Sequence, residues 1–203
     1  MALKVELLIA THNTGKVSEL TDLLSDVPLR LIGLSDFADV SEVDETGETY
    51  DANARLKAAG YASQTGHLAL ADDSGLEVAA LSGRPGVLSA RYGGAGLGFA
   101  QKIEKLLGEI GATGSTDRRA RFVCAMAVAS GTGEILFTSR GVCEGTIALA
   151  PRGSAGFGYD PVFVPDGYTG TFGELDEAVK RKIGHRARAF CEIIPFLRDF
   201  IAI

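Results

Sequence analysis

With 203 residues, 46% apolar and 23% charged, the chain has the make-up of an ordinary globular protein, long enough to bury a proper core. Its net charge of −6 leaves no basic footprint, which argues against duplex nucleic acid or an anionic membrane as the main partner. Cys124, Cys143 and Cys191 are odd in number, widely spaced and set among apolar residues, so they read as buried reduced thiols of a cytosolic protein.

Val5 to Ala10 predicts a first buried strand. It breaks at Thr11-His12-Asn13-Thr14-Gly15-Lys16 and leads into an amphipathic helix with Val17, Leu20, Leu23 and Leu24 on one face. A strand, a polar glycine-containing turn and a helix make an anion site, because free N–H groups and the positive helix end face the ligand. Lys16 adds a mobile point charge. The turn shares the logic of a P-loop without its spacing, and a capped turn with a solvated lysine uses the same residues. The N-terminal apolar run is too short for a signal peptide, and the longest run, Phe122 to Ala129, cannot span a bilayer.

Leu29 to Gly33 predicts a second strand, and Asp36 through Glu48 an acidic loop with Asp44, Glu45 and Glu48 around Gly47. Thr49 through Gln64 predicts a helix that spaces Asn53, Leu56, Lys57 and Ala59 over successive turns. This helix directly precedes the next strand, so Lys57 is placed to reach a phosphate there, although a surface lysine fits as well.

Leu68 to Ala71 predicts a short buried strand that ends in Asp72-Asp73-Ser74-Gly75. Open α/β sheets place ligands outside the carboxyl ends of their strands, and paired carboxylates suit a hard divalent cation such as Mg²⁺. Neighbouring strand residues point to opposite faces, so Asp72 and Asp73 are expected to differ in role. A turn that merely caps the strand would use the same residue types.

Glu77 to Leu81 and the turn Gly83-Arg84-Pro85-Gly86 lead to Ser89-Ala90-Arg91-Tyr92 and a glycine-rich segment, Gly93 to Gly98. A helix follows over Ala100 to Ile110. Ala120 to Ser130 and Glu134 to Arg140 predict a hairpin around Gly131-Thr132-Gly133, and Val142 to Ala150 a further strand. In Gly156-Phe157-Gly158-Tyr159-Asp160-Pro161 glycines flank an aromatic suited to stacking on a planar base, or to a core. One last helix is expected from near Lys180, carrying His185 and Arg186 and packing Ala187, Phe190, Ile194 and Leu197 inward.

Taken together, the chain resembles the inosine triphosphate pyrophosphatase family along essentially its whole length. The resemblance rests on Thr11-x-Asn13-x-Gly15-Lys16, Asp44-Glu45-Thr46-Gly47, Asn53-Ala54-x-x-Lys57-Ala58, Ala71-Asp72-Asp73-Ser74-Gly75-Leu76, Ser89-Ala90-Arg91-Tyr92, Gly156-Phe157-Gly158-Tyr159-Asp160-Pro161, and Lys180 with His185-Arg186, in that order. It implies an α/β protein of two lobes without a separable linker, a long curved mixed sheet, and a cleft between the lobes. It also implies a cytoplasmic homodimer that uses Mg²⁺ to split ITP, dITP or XTP into the monophosphate and pyrophosphate, with no nucleic-acid or membrane partner.

Carried over by position, Thr11, His12, Asn13, Thr14, Gly15 and Lys16 would cradle the triphosphate. Asp73 would be the catalytic carboxylate, as metal ligand or as proton acceptor, with Asp72 supporting it and Lys57 beside it. Asp44, or its neighbour Glu45, would be the second metal ligand. Ser74 would touch the substrate, and Lys57, Arg91 and Lys180 would neutralise phosphate charge. Phe157, Gly158, Tyr159, Asp160, His185 and Arg186 would form the base pocket, with donor-only Arg186 reading the six-carbonyl of hypoxanthine. His12 and Gly184 depart from the family's usual Gly and Ser, and Gly93 to Gly98 lacks the acidic and Asn residues often found there. The alternatives are a Maf-type nucleotide pyrophosphatase, against which Phe157 to Asp160 and His185-Arg186 argue, and a non-catalytic nucleotide-binding regulator, against which Asp73, Lys16 and Lys57 argue.

Overall fold

The computed structural model describes residues 5–94 and 96–202. In chain order its elements are strand β1 (Glu6–Ile9), helix α1 (Thr14–Leu23), β2 (Arg30–Gly33), α2 (Tyr50–Thr65), β3 (Leu68–Val78), α3 (Phe99–Ala112), β4 (Arg119–Ala129), β5 (Ile135–Ile147), β6 (Phe163–Pro165), α4 (Glu177–Ile183) and α5 (His185–Ile201). The strands form one six-stranded sheet in the order β2-β1-β3-β4-β5-β6. It is mixed, as the sequence predicts: β1 runs parallel to β2 and β3, and β5 antiparallel to β6.

The chain divides into two compact units, and three of the crossings fall inside strands: Asp73 to Ser74 in β3, Val123 to Cys124 in β4, and Gly141 to Val142 in β5. The fourth lies between His185 and Arg186. Each unit has its own core. The first packs Leu7, Ile9 and Leu70 of its strands against Leu20 of α1 and Phe190 and Ile193 of α5. The second packs Leu76, Val78 and Phe122 against Ile103, Leu106 and Ile110 of α3 and against Phe163. The buried face of α3 recurs every three to four residues, the spacing that puts side chains on one side of a helix.

Four expectations change. β3 does not stop at Asp72 but continues to Val78, and Asp72 and Asp73 lie within the strand, both buried. Its parallel neighbour is what ends there: β1 pairs only as far as Ile9 opposite Leu70, so the two carboxylates stand just past the carboxyl end of β1. The segments after the hairpin turn are one strand, Ile135–Ile147, because Gly141 sits inside β5 without breaking it. The last helix is two: Gly184 adopts an extended conformation (φ −63°, ψ 154°) that separates Lys180 on α4 from Arg186 on α5. Lastly, Cys191 is exposed while Cys124 and Cys143 are buried. α5 turns Phe190, Ile193 and Leu197 inward, and Cys191 falls outside that stripe.

Candidate active site

In the first unit the site begins with α2. Its buried residues, Tyr50, Asn53, Ala54, Lys57, Ala58, Tyr61 and Ala62, form a stripe at helical spacing, and two of them are polar. Asn53 donates from Nδ2 to Asp73 Oδ2 at 3.0 Å, and its Oδ1 accepts the backbone N–H of Gly47 at 2.8 Å. One amide thus ties the acidic loop to the strand. A Cβ at Gly47 would come within 2.7 Å of Asn53 Oδ1, so the approach needs glycine. One turn on, Lys57 Nζ lies 2.6 Å from Glu45 Oε1 and 3.8 Å from Asp73 Oδ1. Of the two acidic neighbours, Glu45 is therefore the one that reaches this cluster, while Asp44 is exposed.

Asp72 has Arg186 and Lys16 as its closest partners. Its Oδ2 accepts from Arg186 Nη2 at 2.8 Å and Nε at 3.3 Å, and Lys16 Nζ lies 3.1 Å away. Arg186 Nη1 is paired with Glu19 of α1. Lys16 is brought in by the capped start of α1, where Asn13 Oδ1 accepts the Lys16 backbone N–H at 3.1 Å. Thr11 Oγ1 in turn accepts the Asn13 N–H at 3.2 Å, which fixes the turn. Thr14 and Gly15 open the helix, and His12 is exposed with its ring edge-on to Tyr61 at 6.4 Å.

The two adjacent carboxylates are driven in opposite directions. Burial opposes the charge on Asp72, but Lys16, Arg186 and Lys57 outweigh it and hold its carboxyl far below the usual carboxylate range. Burial pushes Asp73 up, Glu45 adds to that, and Lys57, Lys16 and Asn53 offset it only in part. Lys57 is raised in spite of burial by Asp72, Asp73 and Glu45 around it. Two adjacent carboxylates are thus driven apart, Asp72 toward the ionised form and Asp73 toward the protonated one.

In the second unit the glycine-flanked aromatic is held by an ionic latch. Asp160, almost wholly buried, accepts the Phe157 backbone N–H at 2.8 Å and Lys180 Nζ at 2.5 Å through the same oxygen, Oδ2. The Lys180 ammonium lies 4.4 Å from the centroid of the half-buried Phe157 ring, so one face of that ring is taken by a cation. Gly156 stands at φ +72°, and a Cβ there would meet Asp160 Oδ2 at 2.1 Å. Tyr159 is buried, its hydroxyl donating to Ser89 O at 3.0 Å, and Gly158 stands at φ +68°. His185 stacks on Phe122 with centroids 4.7 Å apart. Ser74 is half-buried on β3, and Arg91 is exposed at the end of a 3₁₀ turn, Gly86–Arg91.

The family model described as the Ham1 family matches residues 7–196 of the chain. The chain belongs to the Ham1 family. The dITP/XTP pyrophosphatase of Exiguobacterium sp. is 46% identical over 202 residues, covering 96% of this chain and 100% of that protein. That of Prochlorococcus marinus (strain NATL1A) is 43% identical over 201 residues, covering 97% and 96%. Among solved structures, a HAM1 protein from Coxiella burnetii superposes with a TM-score of 0.88 at 40% identity, over 96% of this chain and 99% of that one.

Within this Ham1 chain the structure gathers Lys16, Lys57, Asp72, Asp73 and Arg186 in the first unit, and Phe157, Asp160 and Lys180 in the second. Arg186 is 2% exposed and bonds two carboxylates of the chain, Asp72 and Glu19. The reading from sequence missed Glu19 and gave Asn53 no role of its own. Asn53 had a signal, a polar residue four before Lys57 on the same helical face. Glu19 had none, because its partner lies 167 residues away. As for a cation, no group of three or more His, Cys, Asp or Glu among the described residues is placed to hold one. Asp73 and Glu45 nevertheless fit one: Mg²⁺ takes hard oxygen ligands and commonly binds through one or two carboxylates plus phosphates. Two carboxylates gathered around a single lysine, one of them driven toward protonation partly by the other, have the surplus negative charge such an ion would neutralise.

Proposed function

We propose that this chain hydrolyses dITP, XTP and ITP to the nucleoside monophosphate and pyrophosphate, clearing deaminated purines from the nucleotide pool. Membership of the Ham1 family, whose relatives here are dITP/XTP pyrophosphatases, supports the reaction class and the dITP and XTP substrates. The observation that carries the reading is the split pair Asp72–Asp73 flanked by two lysines: an ionised clamp, a carboxylate able to accept a proton, and two cations for phosphate oxygens.

In this mechanism Asp73 accepts the proton of a water attacking the α-phosphorus. The new P–O bond forms as the bond from that phosphorus to the oxygen bridging to the β-phosphate breaks, and pyrophosphate leaves with the electron pair. Phosphoryl chemistry of this kind needs positioning and charge neutralisation more than a covalent nucleophile. Lys16 and Lys57 supply positive charge on the substrate oxygens, with His12, Thr14 and Gly15 donating backbone N–H groups from the start of α1. Asp72 keeps Lys16 in place and takes no part in proton transfer. Mg²⁺ is the proposed cation, with Asp73 and Glu45, rather than Asp44, as its carboxylates; when bound it would neutralise charge on the phosphate oxygens. Phe157 stacks on the purine, and Arg91 pairs with phosphate. The homodimer and the cytoplasmic location belong to the same proposal.

The test is the identity of the first products. With Mg²⁺ present, ITP should give IMP and pyrophosphate in one step, dITP and XTP should do likewise, and ATP should be a much poorer substrate. An α,β-bridged non-hydrolysable analogue should bind without turnover. Initial formation of IDP and orthophosphate would overturn the reading.

A further inference from the structure

Lysine is rarely buried without a charged partner, because desolvating an ammonium is costly. In the second unit Lys102 occupies a position in the buried stripe of α3 next to Ile103, and it is 7% exposed. Its partners among the described residues are a carbonyl and a ring: Nζ donates to Ala90 O at 2.6 Å and lies 4.6 Å from the Phe99 centroid. A methionine would fill the same place without a buried charge, so what the ammonium adds is its hold on one carbonyl. The preceding carbonyl is held as well, since Ser89 O accepts from Tyr159. Phe99 meets Tyr159 edge-on at 5.5 Å, which makes the two holds one packed group. Ser89 itself is anchored, its Oγ accepting from Leu76 N at 2.9 Å and donating to Gly86 O at 2.6 Å. The backbone leading into Arg91 is thus gripped at two successive residues, while the arginine itself is exposed.

We propose that Lys102 is a positioning residue for Arg91: with Tyr159, it fixes the peptide units before Arg91 so that the guanidinium is presented to phosphate in one geometry. This rests on the reading of Arg91 as a phosphate ligand. It also ties that ligand mechanically to the Phe157–Asp160 loop, because Tyr159 belongs to both. A pre-oriented arginine binds more tightly than one that must be ordered by the substrate, and the difference falls on KM when ground state and transition state use the contact equally.

The experiment measures kcat and KM for ITP in Arg91→Gln, Lys102→Met, Tyr159→Phe and the double variant Lys102→Met/Arg91→Gln, each checked for folding by circular dichroism. Loss of one charge-assisted contact predicts KM raised roughly tenfold or more in Arg91→Gln. Lys102→Met should raise KM several-fold with kcat little changed, and Tyr159→Phe should do the same by losing only a hydroxyl. In the double variant KM should rise no further than in Arg91→Gln alone. Wild-type KM in a folded Lys102→Met would overturn the proposal, as would effects that multiply in the double variant. If Lys102→Met does not fold, Tyr159→Phe combined with Arg91→Gln decides: KM no higher than in Arg91→Gln supports the proposal, and effects that multiply, or a wild-type KM in Tyr159→Phe alone, overturn it. A wild-type KM in Arg91→Gln would show that the phosphate reading of Arg91 itself is at fault, and the proposal would fall with it.

Discussion

Replacing Asp72 tests the buried ion pair that holds the start of α5 to β3. Asp72→Asn keeps the shape and one acceptor oxygen but removes a charge that is 0% exposed and that Lys16 and Arg186 both address. Removing one partner of a buried ion pair typically costs about 3–5 kcal/mol, because the other charge stays behind uncompensated. Arg186 retains Glu19, and the Asn carbonyl still accepts a hydrogen bond, so the lower end, about 3 kcal/mol, is expected. For a chain of this size that is a fall in Tm of roughly 6–12 °C. The sign with pH follows from linkage. The folded pKa of Asp72 lies below its unfolded value, so its stabilisation is fully present above about pH 4 and is lost as pH falls toward the folded pKa. The gap between wild type and Asp72→Asn should therefore be constant near neutrality and close in acid. Urea unfolding of Asp72→Asn, Arg186→Met and the double variant at pH 7 completes the test. The double variant should cost less than the sum of the singles by about 1–3 kcal/mol, the coupling expected of side chains in one network. Additive losses, or a Tm for Asp72→Asn indistinguishable from wild type, would refute the ion-pair account and return Arg186 to the role of a base reader.

Asp73→Asn should lower kcat by about two to four orders of magnitude, the usual cost of a lost general base, with the fold intact; near-wild-type turnover would remove Asp73 from the mechanism. In the metal-free protein Asp73 should titrate above the ordinary carboxylate range, because burial raises it, and Glu45→Gln should lower that titration by removing a like charge, as followed by carboxyl NMR. A titration that stays put in Glu45→Gln would separate Glu45 from Asp73. Gly156→Ala places a Cβ against the Asp160 carboxylate at a positive φ, so it should loosen Phe157 and raise KM for all purine triphosphates together. A change in base preference alone would contradict that latch.

How far the sequence reached depends on whether a signal is local. Period and punctuation placed β1, α1, β2, α2 and α3 well, since each is defined by residues within a few turns of one another. They failed where local chemistry is overruled by tertiary pairing. Asp-Asp-Ser-Gly reads as a strand end, yet β3 lies inside the sheet with β4 on its other side, and the backbone continues in register through four polar or flexible residues. Gly184 was the opposite case: a single residue without a Cβ splits one amphipathic pattern into two helices. Charge partners were the least legible of all. Lys57 could be placed near Asp73 because helix and strand adjoin in the chain, but nothing in a window of residues announces that Arg186 belongs to Asp72, 114 positions earlier. That pairing is what gives the neighbouring carboxylates their separate characters. With Arg186 and Lys16 holding Asp72 ionised, Lys57 is shared between Glu45 and an Asp73 that burial drives toward protonation. The sequence predicted that Asp72 and Asp73 would differ because they alternate across a strand. The structure gives the physical reason they differ, which is the set of cations that each one faces.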